Sequence, residues 1–363
     1  MTSSDVDLVV ETVRDILTGH EPFVLTPDRP WDAGLWSALA EAGLTGVGVP
    51  EEAGGSGGEL ADAVAVVRTL AAGAGAVPAA EQLLAAGPAL LAADLDLPDL
   101  TAPLTLAVAG AVTAEPSDDG DGPGRWTLTG TATDVAWAGV ARHVAVLAGA
   151  PAGIEGAVLA LVDAEGLATS DARNLAGEPR GSLVLGGAPA SGALLTPTRA
   201  GQVRARYALA RAVQMAAALE QVLAWTVQYA GERHQFGRPL GRFQAVQMQL
   251  AQMAGEVTAV TALVDAAVQT LGSAADPPTQ DVVLAAAAAK VRAGAAVEVV
   301  ARLAHQVHGA IGFTQEHRLH HLTRRLWSWR DEAGSELTWS RVLGVGLLAQ
   351  GGDGLWPALT RVV

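Results

Sequence analysis

From Asp5 to about Leu95 apolar residues recur at helical spacing. Val6, Val9, Val10, Val13, Ile16 and Leu17 set the pattern, and LWSALAEAGL (35–44) and LADAVAVVRTLAAG (60–73) repeat it. Ser4, ahead of Asp5 and Asp7, has the chemistry of an N-cap, and PEEAGGSGG (50–58) reads as a loop. The period then changes. LTLAVAG (104–110), RWTLTGTATDVAWAG (125–139), HVAVLAGA (143–150), GAVLALVDA (156–164) and GSLVLGG (181–187) are short, alternating or β-branched runs between Gly, Pro and Asp, the pattern of an antiparallel barrel or sandwich. PSDDGDGPG (116–124) is a hairpin loop in that reading. After Thr196 the helical period returns over about 202–231, 240–271 and 278–309, with GSAADPPTQD (272–281) as a loop between helices and two or three shorter helices after them. Long helices joined by short loops make a bundle. The expected fold is therefore α+β and mainly α: an N-terminal helical domain (1–97), a central β-barrel domain (98–199) and a C-terminal helical bundle (200–363).

Composition agrees with packed helices. Half of the 363 residues are hydrophobic and 17% are charged. A net charge of -15 argues against nucleic acid or an anionic membrane as a partner, because phosphate repels such a field. Without cysteine there is no disulfide, thiol nucleophile or thiolate metal site. The acidic start MTSSDVDLVVETVRDILTG has no basic stretch ahead of an apolar core, and no apolar run is long enough for a bilayer, so the expectation is a cytoplasmic protein.

Two stretches in the third part are too specific for packing alone. YAGERHQFGRPLGRFQAVQMQLAQM (229–253) and HQVHGAIGFTQEHRLHHLTRR (305–325) resemble the two C-terminal signatures of the acyl-CoA dehydrogenase family. WSALAEAGLTGVGVPEEAGGSGGEL (36–60) is similar to that family's opening helix and loop. The resemblance implies helices, barrel and four-helix bundle in that order, FAD as cofactor, and oxidation of the Cα–Cβ bond of an acyl-CoA, with an electron-transfer protein as acceptor. It also implies a flavin shared across a subunit boundary: one subunit holds the ring and substrate, and its neighbour's signatures hold the pyrophosphate and adenine end. Carried over by position, Arg233 would face the pyrophosphate, Phe236 would pack on the adenosine portion, and Gln244 would hydrogen-bond the dinucleotide. Gln306, Gly309 and Gly312 would let backbone N–H groups approach it, and Ser335, after the base position, joins the cofactor contacts.

The chain departs from the family elsewhere. Counting on from Gly312, the Tyr-Glu-Gly-Thr stretch that holds the usual base falls on Glu332, Ala333, Gly334 and Ser335, so the base position is alanine. The alternative base position, at the start of the first long bundle helix, falls on Tyr207, whose phenol is a poor base at neutral pH. Glu332 and Asp331 are the local carboxylate candidates; otherwise they belong to a solvated loop ahead of a helix that Ser335 caps, with Glu336 in its first turn. In the β domain, Ala132 takes the place of a lysine and Asp134 that of an aromatic on the strand that faces the flavin. One half of a shared site is kept and the other is worn away. Three readings follow: a subunit of a heterotetramer with a homologous partner, a self-sufficient homotetramer using Glu332 or Asp331, and an inactive scaffold or acyl-CoA-binding protein.

Competing signals are weaker. His317 and His321 stand four apart, with His305, His308 and His320 near in sequence, but only Glu316 accompanies them, so no metal is expected. Trp327 and Trp329 suit a core or interface, and GGSGG (54–58) lacks the Lys-Ser/Thr of a phosphate loop.

Overall fold

The computed structural model describes residues 3–20, 24–117, 124–273, 279–314, 316–349 and 351. The chain divides into two compact units, residues 1–67 with 75–210 and residues 68–74 with 211–363. The first holds both the N-terminal helices and the barrel.

In the first unit the helices are α1 (Ser3–Gly19), α2 (Ala33–Glu41), α3 (Leu60–Ala72, whose last turn belongs to the second unit) and α4 (Gly87–Leu91), which a π-helical turn, Glu81–Ala86, precedes. Asp32 starts α2: its Oδ1 accepts from the Leu35 N–H at 3.0 Å and pairs with His20 Nε2 at 2.9 Å. That orients Leu35, Trp36 and Leu39 into the core. Gln82, in the π-helical turn, donates to the carbonyls of Thr45 and Leu100, both at 2.7 Å, and accepts from the Leu104 N–H at 2.8 Å. One buried amide thus ties the helical segment to the first strand. The 54–58 loop is folded tightly, because a Cβ on Gly55 would lie 2.2 Å from the Val49 carbonyl oxygen. The Ser4 side chain, the loop residues 118–123 and residues 274–278 lie outside the described residues.

The strands β1 (Leu104–Pro116), β2 (Arg125–Ala136), β3 (His143–Gly149), β4 (Ala157–Asp163) and β5 (Arg180–Leu195) close into a barrel in the order β1-β2-β5-β4-β3. Four of the pairings are antiparallel and β1–β3 is parallel. A closed ring with an odd number of strands cannot alternate direction throughout, so one parallel seam is required where the sequence suggested antiparallel pairing only. The alternating inward positions, among them Val112, Leu128, Val144, Val146, Val158, Leu183 and Leu185, fill the interior. Ala132 is one of them. Just beyond it the β2–β5 register slips between Ala132 and Val135, and Asp134 and Trp137 both take positive φ, 55° and 59°.

α5 (Pro197–Glu232) runs through the boundary between the units at residue 210. The second unit continues with a two-residue hairpin, β6 (His234–Gln235) and β7 (Arg238–Pro239), and then with α6 (Gln244–Gly272), α7 (Thr279–His308), α8 (Leu319–Asp331) and α9 (Glu336–Ala349). These are the long helices and two shorter ones that the apolar period predicts. Met253, Val257, Val260, Val264, Ala267 and Leu271 form the buried stripe of α6, at alternating steps of three and four residues. Among the described residues no helix is long and apolar enough to cross a membrane, and no group of three His, Asp or Glu could hold a metal ion.

Candidate functional site

The first signature lies at the end of α5. Its helical bonding closes with the Arg233 N–H donating to Tyr229 O at 2.9 Å, and the chain reverses through Phe236 (φ 52°) and Gly237 (φ 80°), which form the tip between β6 and β7. Phe236 is 92% exposed, its ring edge-on to Phe243 at 6.2 Å, and the Arg238 guanidinium covers Phe243 at 4.1 Å. The exposed Arg233 guanidinium has no ion pair or hydrogen bond among the described residues. Gln244, also exposed, opens the 29-residue α6, whose N-cap, Phe243, offers no side-chain acceptor to the free N–H groups. An unpaired guanidinium, an uncapped helix N-terminus and an exposed flat ring on one short segment suit a diphosphate joined to a planar base. These residues fit the pyrophosphate and adenine end of FAD.

The second signature ends α7. Gln306 is exposed on the helix, Gly309 has φ 64°, and a 3₁₀ turn, Gly309–Phe313, follows with Gly312 buried and Phe313 exposed. The two signatures meet where Tyr229 stacks on His308 with ring centroids 4.5 Å apart.

The loop at the base register is held from several sides. Glu332 is the C-cap of α8, Ala333 and Gly334 both have positive φ (54° and 95°), and the Ser335 hydroxyl accepts from the Thr338 N–H at 3.4 Å at the start of α9. The expected cap at Ser335, with Glu336 in the first turn, is what the geometry contains. The two acids differ from each other, however. Asp331 is exposed at the last position of α8, whereas Glu332 has only 15% of its side chain exposed and its Oε2 lies 3.0 Å from Arg211 Nε. Trp339 Nε1 donates to Ala333 O at 2.8 Å, and Arg330 Nε pairs with Glu336 Oε1 at 2.5 Å. Beneath them the Lys290 ammonium, 1% exposed, donates to the carbonyls of Trp329, Arg330 and Gly334 at 3.1, 2.6 and 3.0 Å. Burial, reinforced by Arg211, pushes the Lys290 pKa down to about 7, against the opposing pull of Glu332, Asp331 and Glu336.

Sequence reasoning had not singled out Arg211 or Lys290. A signal existed for the second: Lys290 is the only lysine in the chain, and it follows an alanine run, AAAAAKV. Tyr207, at the alternative base position, is buried within the first unit's part of α5. In the barrel, Ala132 is buried and Asp134 is exposed.

Comparison with known proteins agrees with this geometry. The family model for the acyl-CoA dehydrogenase N-terminal domain matches residues 3–93, and that for the C-terminal domain matches residues 200–336. The chain is 30% identical to acyl-CoA dehydrogenase FadE27 of Mycobacterium tuberculosis, over 88% of this chain and 89% of that one. It is 28% identical over 316 residues to acyl-CoA dehydrogenase IpdE2 of the same organism, covering 85% of this chain and 87% of the relative. Among solved structures, a variant of the Tcur3481-Tcur3483 steroid ACAD superposes with a TM-score of 0.82 at 28% identity, covering 96% of this chain and 99% of that one. The ChsE4-ChsE5 complex from Mycobacterium tuberculosis superposes with a TM-score of 0.82 at 26% identity, with coverage of 96% and 98%. The matched signatures, the helix–barrel–bundle order and these relatives make the chain a member of the acyl-CoA dehydrogenase family.

Proposed function

We propose that this chain is one subunit of a heteromeric acyl-CoA dehydrogenase, lending the Phe236 hairpin and the Gly309–Phe313 turn to a flavin whose ring, substrate and base lie on a homologous partner. The family's members are FAD-dependent flavoprotein oxidoreductases of lipid metabolism. Held there, FAD would supply a hydride acceptor for the acyl-CoA Cα–Cβ bond.

One contrast carries the reading. The base register holds Ala333 and the carboxylate beside it is tied to Arg211, while the Arg233 guanidinium and the Phe236 ring stand exposed. A general base must reach the substrate proton, and Glu332 is held in place by its ion pair with the buried Arg211 guanidinium. Lys290 titrates in a useful range, but its ammonium is spent on three carbonyls and serves as an anchor. In the donated half, Arg233 would neutralise pyrophosphate oxygens, Phe236 would cover the adenosine face, and Gln244, Gln306, Gly309, Gly312 and Ser335 would supply hydrogen bonds and close backbone approach. The structures of the Tcur3481-Tcur3483 steroid ACAD and the ChsE4-ChsE5 complex support a two-component assembly, and the former supports a bulky steroid-type acyl-CoA as substrate. An electron-transfer protein would accept the electrons.

The test is the visible absorption spectrum of the chain purified alone and after co-expression with a homologous subunit. The expected result is a colourless single chain and a yellow complex in which Arg233→Ala lowers flavin content. Stoichiometric flavin and turnover in the chain alone would overturn the proposal. The homotetramer reading retains one supporting observation, the exposed Asp331 at the end of α8; it requires that Asp331→Asn abolish turnover of the chain alone.

A further inference from the structure

Two histidines one turn apart on α7 carry the turn that follows it. His308 is buried; its Nδ1 donates to Ala304 O at 2.8 Å, one face lies on Tyr229, and His317 approaches edge-on at 4.9 Å. His305 bonds Thr323 Oγ1 through Nε2 at 3.0 Å and stacks on Phe313 at 4.4 Å. Gly312 sits against both: a Cβ there would lie 3.0 Å from His308 Cβ and 3.3 Å from His305 Nδ1. The second nitrogen of each ring, Nδ1 of His305 and Nε2 of His308, is buried with no hydrogen-bond partner among the described residues.

That arrangement has a requirement. Because His308 Nδ1 faces a carbonyl it must carry the proton, which leaves Nε2 as a bare lone pair. A second proton there would make a buried cation with a donor that meets no acceptor. At His305 the Thr323 hydroxyl can donate to or accept from Nε2, and in either case a doubly protonated ring leaves the Nδ1–H without an acceptor. The titratable groups facing the pair are Tyr229 from α5 and His317 and His320 from the segment that opens α8; no carboxylate is among the groups that shift them.

We propose that His305 and His308 are positioning residues that hold the Gly309–Phe313 turn closed while their rings are neutral and release it when they take up protons. Burial first, and then the neighbouring histidines, hold both imidazoles below their ordinary value, with the Ala304 carbonyl opposing this at His308. An opened turn returns the rings to water, where the ordinary value of about 6.5 applies. The open state then binds protons more tightly than the closed one, so acid favours opening. Whatever the closed-state value, the gain cannot exceed about tenfold per histidine at pH 5.5 relative to pH 7.5, the ceiling that the ordinary value sets. That this turn serves FAD rests on the proposed function; that it opens in acid does not.

Amide hydrogen exchange of the 309–314 segment, corrected for intrinsic rates, tests it on the purified chain, with the middle of α6 as internal control. The expected result is a progressive loss of protection between pH 7.5 and 5.5, confined to the turn and at most about tenfold per histidine. His305→Gln should remove one histidine's share of the step and the double His305→Gln, His308→Gln variant all of it, a flattening that a purely structural role would not produce. Wild-type protection that does not change with pH overturns the inference without any variant being needed, as does a double variant that keeps the step. In the co-purified complex, flavin release on the same acid step extends the inference to the cofactor. Opening without release leaves the inference standing and removes the turn from the cofactor site.

Discussion

Glu332 Oε2 lies 3.0 Å from Arg211 Nε, and both side chains are withdrawn from water, Arg211 almost wholly. Two opposite charges taken out of solvent hold each other in place, and removing one leaves the other uncompensated. Glu332→Ala should therefore cost about 3 kcal/mol of unfolding free energy. Glu332→Ala with Arg211→Met should cost clearly less than the two single changes added together. Chemical denaturation of the four proteins in the cycle measures this. Additive losses would mean that the pair contributes nothing and that Glu332 is free for other work.

Lys290 gives a pH dependence of definite sign. Its pKa in the folded chain, about 7, is below the ordinary value of 10.5, so between those limits the unfolded chain binds more protons than the folded one. This group therefore makes stability rise with pH through that window, by up to roughly 1.4 kcal/mol per pH unit. Below pH 7 both states hold the proton and the slope vanishes. Lys290→Met, which also strips three carbonyls of their donor, should cost more at pH 9 than at pH 6.5. Urea unfolding of wild type and variant at both values decides it; an equal cost at the two would place the Lys290 pKa outside the window.

Gly312→Ala should disturb the turn directly. The added methyl would lie 3.0 Å from His308 Cβ, 3.2 Å from Leu319 Cδ2 and 3.3 Å from His305 Nδ1. Overpacking of this kind costs about 1–3 kcal/mol, and the turn can relieve it by moving off the histidines. The expected outcome is a lower melting temperature together with reduced flavin in the co-purified complex. Full flavin content with lowered stability would confine Gly312 to packing.

Much of this was legible beforehand, for identifiable reasons. The α6 stripe from Met253 to Leu271 and the alternation through Val144 and Val146 follow the helical and strand periods, and burial enforces both. The first signature was legible as a motif, but the hairpin that puts Phe236 and Gly237 at a reversal with positive φ was not. The parallel β1–β3 seam was not, since it follows from the strand count and not from any single run. Nor was the fate of the two acids. Asp331 and Glu332 are adjacent and chemically alike; only the fold brings Arg211, more than a hundred residues earlier, onto one and leaves the other in water. The Tyr229–His308 stack was hidden in the same way, although each residue lay inside a recognised signature.

Ala333→Glu puts a carboxylate where the family resemblance implies the base. Position 333 has φ 54°, a conformation already adopted by a residue with a Cβ, so lengthening the side chain adds no backbone strain of its own. The loop is anchored on both sides of it, by Lys290 and by the Arg211–Glu332 pair, and should keep its shape. If the missing base were the only deficit, this single change would give turnover. The barrel argues otherwise. Ala132, where the family resemblance implies a lysine, is sealed in the barrel core, and Asp134, where it implies an aromatic, puts an exposed carboxylate on a strand whose register has slipped. A carboxylate is a poor wall for a flavin ring, which asks for an apolar face. The chain carrying Ala333→Glu should thus remain colourless and inactive when purified alone. In the complex it should leave the partner-dependent rate unchanged. Flavin binding with new turnover by the variant alone would show that the ring half is intact and that only the base had been lost.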